Sequence, residues 1–267
     1  MFPVLHGPNG EDGTVQGLLE LAGVPYVGSG VLGSALAMDK AKAKEVLAQH
    51  GLPQARHAVR CAWEIHAGTA SEVADELGFP MFVKPANMGS SIGVSKVVSL
   101  DGLDAAIELA LRHDEIVVFE EGVDGREIEI GVLGNESPRT SVVGEIVPGA
   151  DFYTYADKYE HDDARLLIPA PLTSGQADEV RALAVRAFEA CRVEAMARVD
   201  FFLDEAGTFL VNELNTIPGF VGGVSQYPRL WEASGVPYPE LLDRLIGLAF
   251  ARHERRTKRA GRQRDGV

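Results

Sequence analysis

Cysteine is nearly absent from this sequence. Cys61 and Cys191 are the only two among 267 residues, too few for a disulfide framework, and nothing beside either has metal-ligand spacing. Both are expected to be reduced packing residues. Long apolar runs are missing as well: none reaches the roughly 18 residues that a membrane-spanning helix needs. No secretory signal pattern opens the chain, so a cytoplasmic protein is expected. Positive charge is the third scarcity. Lys and Arg number 25 against 39 Asp and Glu, a net charge of −14, which argues against a general binder of nucleic acid or anionic membrane. The cations that exist are unevenly spread, with seven between Ala251 and Val267 against Glu254 and Asp265. Such a tail reads as a flexible, solvated extension of the last helix. No internal repeat or low-complexity segment interrupts the chain. What is present, 46% hydrophobic and 24% charged residues, is the composition of a soluble globular protein of one to three domains.

Helical and strand periodicities alternate along most of the chain. Met1-Phe-Pro-Val-Leu5 reads as a buried strand without a lead-in, as though part of a domain preceded it. Thr14–Ala22 carries apolar Val15, Leu18, Leu19 and Ala22 at helical spacing, and Gly23–Val27 reads as a short strand. This fragment is consistent with the last part of a doubly wound α/β sheet. A helical pattern runs from Ser34 to His50, with Asp39 and Lys40 opening its amphipathic part and Gly51 stopping it. Strands are expected at 58–61, 79–85, 94–98 and 115–121, and helices at 70–78 and 103–112, which together make a compact α+β unit. Short strands follow at 127–133, 141–147 and 166–168. A helix at 177–190, a hairpin, a loop at 216–228 and a closing helix from Tyr238 to about Arg252 complete the chain.

The hairpin carries the most chemistry. Arg198-Val-Asp-Phe-Phe-Leu203 and Phe209-Leu-Val-Asn-Glu-Leu-Asn215 flank Asp204-Glu-Ala-Gly-Thr208, a loop rich in turn formers. If Leu203 and Leu210 pair across it, Asp200 lies opposite Glu213 and Arg198 opposite Asn215. Side chains alternate with period two, so these four polar groups share one face. Opposed residues are about 4.5–5.5 Å apart at Cβ, and two carboxylates held that close repel unless a cation or a proton lies between them. Two carboxylates and an amide oxygen suit Mg2+ carrying the phosphates of a nucleotide. The competing reading is a polar outer face with a chance acidic pair.

Three further stretches point the same way. Lys84 stands near the end of a strand that leads into Asn87-Met-Gly-Ser-Ser-Ile-Gly93. Glycines there let backbone N–H groups approach an anion, and the hydroxyls of Ser90 and Ser91 add donors; an ordinary hairpin turn is the plain alternative. Val117-Val-Phe-Glu-Glu-Gly-Val-Asp-Gly-Arg-Glu127 runs from an apolar strand into an acidic linker. A flat heterocycle could lie on the apolar residues with backbone and carboxylate groups at its polar edge, unless the linker is only a charged turn between domains. Asp151-Phe-Tyr-Thr-Tyr-Ala-Asp-Lys-Tyr159 is aromatic and polar without periodicity, which suits either an active-site lid or an irregular surface loop.

Taken together, these blocks resemble the D-alanine–D-alanine ligases, carboxylate–amine ligases of the ATP-grasp fold. The resemblance is carried by His6-Gly-Pro-Asn-Gly-Glu-Asp-Gly-Thr-Val-Gln-Gly17, Met38-Asp-Lys40, and Phe82-Val-Lys-Pro85 with Gly89-Ser-Ser-Ile-Gly-Val94. It continues through Glu120, Asp124-Gly-Arg-Glu127, Lys158-Tyr159, Arg198-Val-Asp200 and Asn212-Glu-Leu-Asn-Thr-Ile-Pro-Gly219. The blocks fall in the family's order and cover the chain to about residue 250.

The resemblance implies an α+β protein: a partial doubly wound α/β domain at 1–34, ATP-grasp subdomains at 35–119 and 120–250, and the basic tail at 251–267. It implies ligation of two D-alanine molecules through an acyl phosphate, for peptidoglycan precursor synthesis, with ATP and two Mg2+ ions, or Mn2+ in their place. Lys40 and Lys84 would contact phosphates beside the loop of Ser90 and Ser91. Glu120 and the backbone near Val123 would read the adenine edge, and Glu127 would hold the ribose. Asp200, Glu213 and Asn215 would bind the metals, while Arg198 and the N–H of Gly219 stabilise the oxyanion of the tetrahedral intermediate. Ser90 and Tyr159 would brace each other, with Lys158 reaching the γ-phosphate. His6 would sit near the first D-alanine, and Ser225 would bind the carboxylate of the second.

The implied partners are these small molecules, not nucleic acid or membrane, with a homodimer left open. Two departures stand out. The family's opening glycine-rich segment, with a glutamate for the first ammonium group, has no counterpart, so part of the first domain is expected to be missing. The loop Phe220–Gln226 is one residue longer than usual, with Val221 where a hydroxyl residue is common. A D-alanine–D-lactate branch is the near alternative, disfavoured by Lys158-Tyr159; a nucleotide-binding protein without catalysis is the distant one.

Overall fold

The computed structural model describes residues 1–147 and 165–264, with side chains to Lys258. Two antiparallel sheets organise them. The smaller holds β1 (His57–Cys61), β2 (Met81–Pro85), β3 (Ser95–Val97) and β4 (Ile116–Glu121), in the order β1-β4-β2-β3. The larger holds β5 (Gly125–Gly134), β6 (Arg139–Val147), β7 (Arg165–Leu167), β8 (Ala195–Asp204) and β9 (Phe209–Asn215), in the order β7-β6-β5-β8-β9. Around them lie α1 (Thr14–Leu21), α2 (Val31–Met38), α3 (Lys40–Gln49), α4 (Thr69–Leu77), α5 (Leu103–Leu111), α6 (Ser174–Ala190), α7 (Gln226–Ala233) and α8 (Tyr238–Arg264).

Strand alternation gives each sheet one apolar face. Met81, Val83, Val117 and Phe119 of the smaller sheet pack on Val73 and Leu77 of α4 and on Leu103 and Ile107 of α5. In the larger sheet Ile128, Ile130, Val199, Phe201 and Val211 pack on Val180, Leu183 and Phe188 of α6. Each such side chain contributes about 1.5–3 kcal/mol when fully buried. These faces therefore fix the sheets and leave the opposite faces free for polar groups. Helix α3 joins the two lobes: Leu47 enters the larger core, while Ala41 packs with Ala86 and Val118 under the smaller sheet.

The second face of the larger sheet is half covered by α7, and two glycines allow this. A Cβ on Gly131 would lie 2.8 Å from Trp231 Nε1, and one on Gly144 would lie 2.8 Å from Leu230 Cδ2. Tyr227 anchors the helix by donating to Val132 O at 2.8 Å. Beyond the end of α7 the face is open, and there the polar residues of β5, β8 and β9 lie.

The structure departs from the sequence reading at the two ends of the chain, within one helix, and in the expected loop 216–228, where α7 begins at Gln226. Met1–Leu5 and Gly23–Val27 are not strands; Val4 and Leu5 are exposed. The two segments meet through the Met1 amino group donating to Pro25 O and the Val27 N–H donating to Met1 O. Pro3 and Pro25 lack the N–H that would extend this pairing. The pattern from Ser34 to His50 is two helices broken at Asp39, whose extended backbone (φ −77°, ψ 99°) caps α3 as Oδ1 accepts from the Lys42 N–H, a contact worth about 1 kcal/mol. The closing helix runs to Arg264 rather than ending near Arg252. The basic stretch, read as an extension of the last helix, is helical to Arg264, and the acidic body supplies partners: Arg255 pairs with Glu136 and Glu194, and Arg256 with Glu20. Cys191 is fully buried, with its thiol pushed up to about 12 by burial, and Cys61 is partly buried. Among the described residues no helix is long and apolar enough to cross a membrane.

Candidate active site

The open face of the larger sheet carries the residues singled out in the hairpin. Asp200 lies opposite Glu213 and Arg198 opposite Asn215, as expected, but by a different route. Leu203 pairs with Phe209 rather than Leu210, and further along the ladder the register shifts by one residue between Asp200 and Phe201. Asn212 is the extra residue of a β-bulge, and it restores the Asp200–Glu213 pairing that the turn alone would have missed. Its signature was in the sequence, since the buried positions of β9 are Phe209, Val211 and Leu214, a parity slip at Asn212.

Arg198 grips Asp200 with two hydrogen bonds, Nε to Oδ1 and an Nη to Oδ2, both 2.7 Å. Its Nε is also 3.2 Å from Glu129 Oε1, and its other Nη donates to Gln226 at 3.3 Å. Burial opposes the charge, yet Asp200 and Glu129 raise the guanidinium pKa above its ordinary value. Asn215 Nδ2 donates to Asp200 at 2.9 Å and to Glu213 at 3.4 Å. The two carboxylates thus converge on the Asn215 amide. Glu127 lies on the same face, since Glu127 pairs with Phe202 and Glu129 with Asp200 along β5 and β8.

The smaller sheet and α3 supply the cations. Lys84 on β2 lies diagonally from Glu120 on β4, because Phe82 is opposite Glu120 and Lys84 opposite Val118. Lys84 and Lys44 both make ion pairs with Glu120. Burial alone would raise that carboxyl; the two ammonium groups outweigh it and hold its pKa at about 2. Lys40, one helical turn before Lys44, donates to Met88 O at 2.6 Å and stands 3.8 Å from Glu213. Burial pushes its pKa below the usual lysine range. Lys40 is therefore a polar side chain that links the two lobes.

The remaining expected residues surround this core. Ser90 and Ser91 occupy a loop in which both take positive φ, 51° and 60°; the loop abuts Lys40 through Met88. Val123 lies between β4 and β5, in a segment fixed by Gly122 N–H donating to Pro80 O. Gly219 approaches Ser225 so closely that a Cβ would lie 3.0 Å from its hydroxyl. That hydroxyl accepts from the Val221 N–H at 2.9 Å. His6 is exposed at the start of the loop that carries Glu11. Lys158 and Tyr159 lie outside the described residues, and with them the Ser90–Tyr159 brace.

Four residues of the site escaped the sequence reading. Lys44 occupies a buried stripe with Ala37, Ala41 and Leu47, and a lysine in an apolar helical stripe was the available signal. Glu129 interrupts Ile128 and Ile130 in a strand, a similar signal. Glu11 has its carboxyl raised by burial, partly offset by the Gly7 N–H it accepts, and it adds to the negative field around Glu213. Gln226, at the start of α7, left no mark in the sequence.

Two family models match, "D-ala D-ala ligase C-terminus" over residues 46–247 and "D-ala D-ala ligase N-terminus" over residues 1–29. A D-alanine–D-alanine ligase of Bacillus licheniformis is 52% identical over 257 residues, covering 95% of this chain and 71% of the relative. One of Heliobacterium modesticaldum is 51% identical over 263 residues, 97% of this chain and 72% of the relative. Among solved structures, the D-alanine–D-alanine ligase of Coxiella burnetii superposes with a TM-score of 0.87 at 38% identity, over 96% of this chain and 69% of that one. The VanG D-Ala:D-Ser ligase of Enterococcus faecalis gives 0.85 at 39%, over 93% and 72%. With the expected α+β lobes in place and about half of the aligned residues identical to those of named relatives, this chain belongs to the D-alanine–D-alanine ligase family.

Proposed function

We propose that this chain joins two D-alanine molecules into D-alanyl-D-alanine with conversion of ATP to ADP and phosphate, a cytoplasmic reaction that supplies peptidoglycan precursors. The observation that carries the reading is the opposed Asp200–Glu213 pair, with Arg198 and Asn215 beside it, Lys40 at 3.8 Å from Glu213, and Lys84 paired with Glu120 in the other lobe. The donor set fits a hard dication: two carboxylates and an amide converge, and turning the Asn215 amide would present Oδ1 where Nδ2 now lies. Asp200, Glu213 and Asn215 would hold Mg2+, which when bound offsets charge on the transferring phosphoryl group.

The chain's own groups do the rest. Lys40 and Lys84 orient the phosphates, Glu120 and the backbone at Val123 take the adenine edge, and Glu127 takes the ribose. A carboxylate oxygen of one D-alanine attacks the γ-phosphorus as its bond to the ADP oxygen breaks, which leaves an acyl phosphate. The amine of the second D-alanine, with its carboxylate at Ser225, attacks the acyl carbon. Arg198 and the Gly219 N–H stabilise the oxyanion, phosphate leaves, and the amine loses its proton. By the family resemblance Lys158 would reach the γ-phosphate and Tyr159 would brace Ser90 beside Ser91, so that water is kept from the acyl phosphate, with His6 beside the first substrate.

The test is ADP release from ATP, with and without D-alanine. Release that depends on D-alanine, with one dipeptide per ADP, is expected. Glu213→Gln should cut it by about 100-fold or more, beyond what outer partners of a metal site cost, while sparing adenosine binding. ATP binding without D-alanine-dependent release would overturn the proposal.

A further inference from the structure

Three lysines gather beside the cleft, yet the proposed reaction uses only two of them. Lys40 and Lys44 are one turn apart on α3, and Lys84 projects from β2. Lys44 is the most enclosed, 1% exposed, and it does not reach the open face. Its ammonium group meets Glu120, which is itself 3% exposed and also meets Lys84. One buried carboxylate therefore has two cations, and they differ in freedom: the side chain of Lys84 keeps 12% exposure and that of Lys44 only 2%.

We propose that Lys44 is a positioning residue for nucleotide recognition. It is the permanent counter-charge that keeps Glu120 ionised and fixed when Lys84 turns from Glu120 to the phosphates. This rests on the reading that Glu120 accepts from the adenine edge. A triphosphate carries more negative charge than one carboxylate and draws Lys84 toward it. Without Lys44, Glu120 would then be a buried carboxylate with no cation, a state that costs several kcal/mol unless it takes up a proton. A protonated carboxyl keeps one acceptor oxygen but loses its charge and gains an O–H donor, so it accepts more weakly from the adenine amino group and selects less sharply for it. Lys44 thereby lets one buried acid serve two states of the site, holding Lys84 in the empty one and reading the base in the filled one. Lys40 cannot substitute, since it is engaged with Met88 O and Glu213.

The experiment compares wild type, Lys44→Met and Lys44→Arg. Lys44→Met keeps the apolar stem and leaves Glu120 paired with Lys84 in the empty site. KM for ATP should rise about tenfold, more than kcat falls, and the ratio of kcat/KM for ATP over GTP should drop by a similar factor. Inhibition by inorganic tripolyphosphate, which has no base, should weaken by a clearly smaller factor than ATP binding does, because drawing Lys84 from Glu120 is costly for both but only ATP also loses the adenine contact. Lys44→Arg should restore most of the ATP preference. If tripolyphosphate inhibition weakens as much as ATP binding does, Lys44 acts on the phosphates and the proposal falls. If the ATP-over-GTP ratio is unchanged, it falls also. Should Lys44→Met be insoluble, the double variant Glu120→Gln with Lys44→Met removes carboxylate and buried cation together. Its ATP-over-GTP ratio must then equal that of Glu120→Gln alone, and any further loss overturns the proposal. Absence of D-alanine-dependent ADP release in wild type is a separate result, which would overturn the functional reading.

Discussion

Glu120 sets the pH behaviour of the smaller lobe. Its carboxyl is held at about 2 because Lys84 and Lys44 outweigh its burial, against a reference of 4.5. A depressed carboxyl contributes stability that is fully present above the unfolded pKa and is lost as pH falls through the folded one. The window is therefore from about pH 4.5 down to about pH 2. The size of the effect is on the order of 3 kcal/mol. Glu120→Gln should lack that part of the acid unfolding slope, and it should be less stable at neutral pH by roughly 3–5 kcal/mol, since two ammonium groups lose their partner. Chemical denaturation between pH 2.5 and 7 reads both quantities. Wild type and variant curves that stay parallel through the window would refute the assignment. The residue was legible in the sequence as an acid ending an apolar strand, but its second cation was not. Lys44 is 76 positions away, and no local pattern joins a helix stripe to a strand end.

At the scale of elements, the hairpin shows what periodicity reads well and what it misses. The face shared by Arg198, Asp200, Glu213 and Asn215 followed from alternation alone, but the turn was misjudged by one residue and Asn212 corrected it. A bulge changes parity without changing composition, so it is visible only as the slip from Val211 to Leu214. The apolar segments Met1–Leu5 and Gly23–Val27 failed for a different reason: a strand needs a neighbour with matching donors, and two prolines remove them. The bulge makes a direct prediction. Deleting Asn212 leaves Phe209, Val211 and Leu214 on one face and Glu213 opposite Asp200, so no side chain changes sides. The variant should fold, at a cost of no more than about 1–2 kcal/mol. Turnover should nevertheless fall, because the bulge sets the local bend that aims Glu213. Thermal melting and ADP release measure the two effects separately. A variant with full turnover would show that the bulge has no role in the site.

For the whole molecule, the arrangement of two sheets about α3 was legible as an α+β pattern, whereas the way the chain's two ends hold one another was not. The first thirty residues have no strand in either sheet, and α8 secures them. Arg252 is 2% exposed and lies 4.2 Å over the Tyr26 ring. Its guanidinium donates to Tyr26 O at 2.9 Å and to Gly28 O. Beside it Arg256 reaches Glu20 and Glu194, so one basic stretch pins α1, the segment before α2 and the start of β8 together. The loop carrying His6 and Glu11 precedes α1 and depends on that anchorage. Arg252→Ala leaves two buried carbonyls without a donor, at about 1–3 kcal/mol each. Arg252→Lys retains charge but not the planar fork that serves both carbonyls, so it should rescue only in part. The loss should be local. Amide hydrogen exchange should quicken at 14–31 with little change in β8 and β9, and ADP binding should persist while D-alanine-dependent turnover drops through misplacement of the His6–Glu11 loop. Exchange that quickens equally in β8 and β9 would mean that Arg252 supports the whole fold, and unchanged exchange at 14–31 would mean that the anchor lies elsewhere.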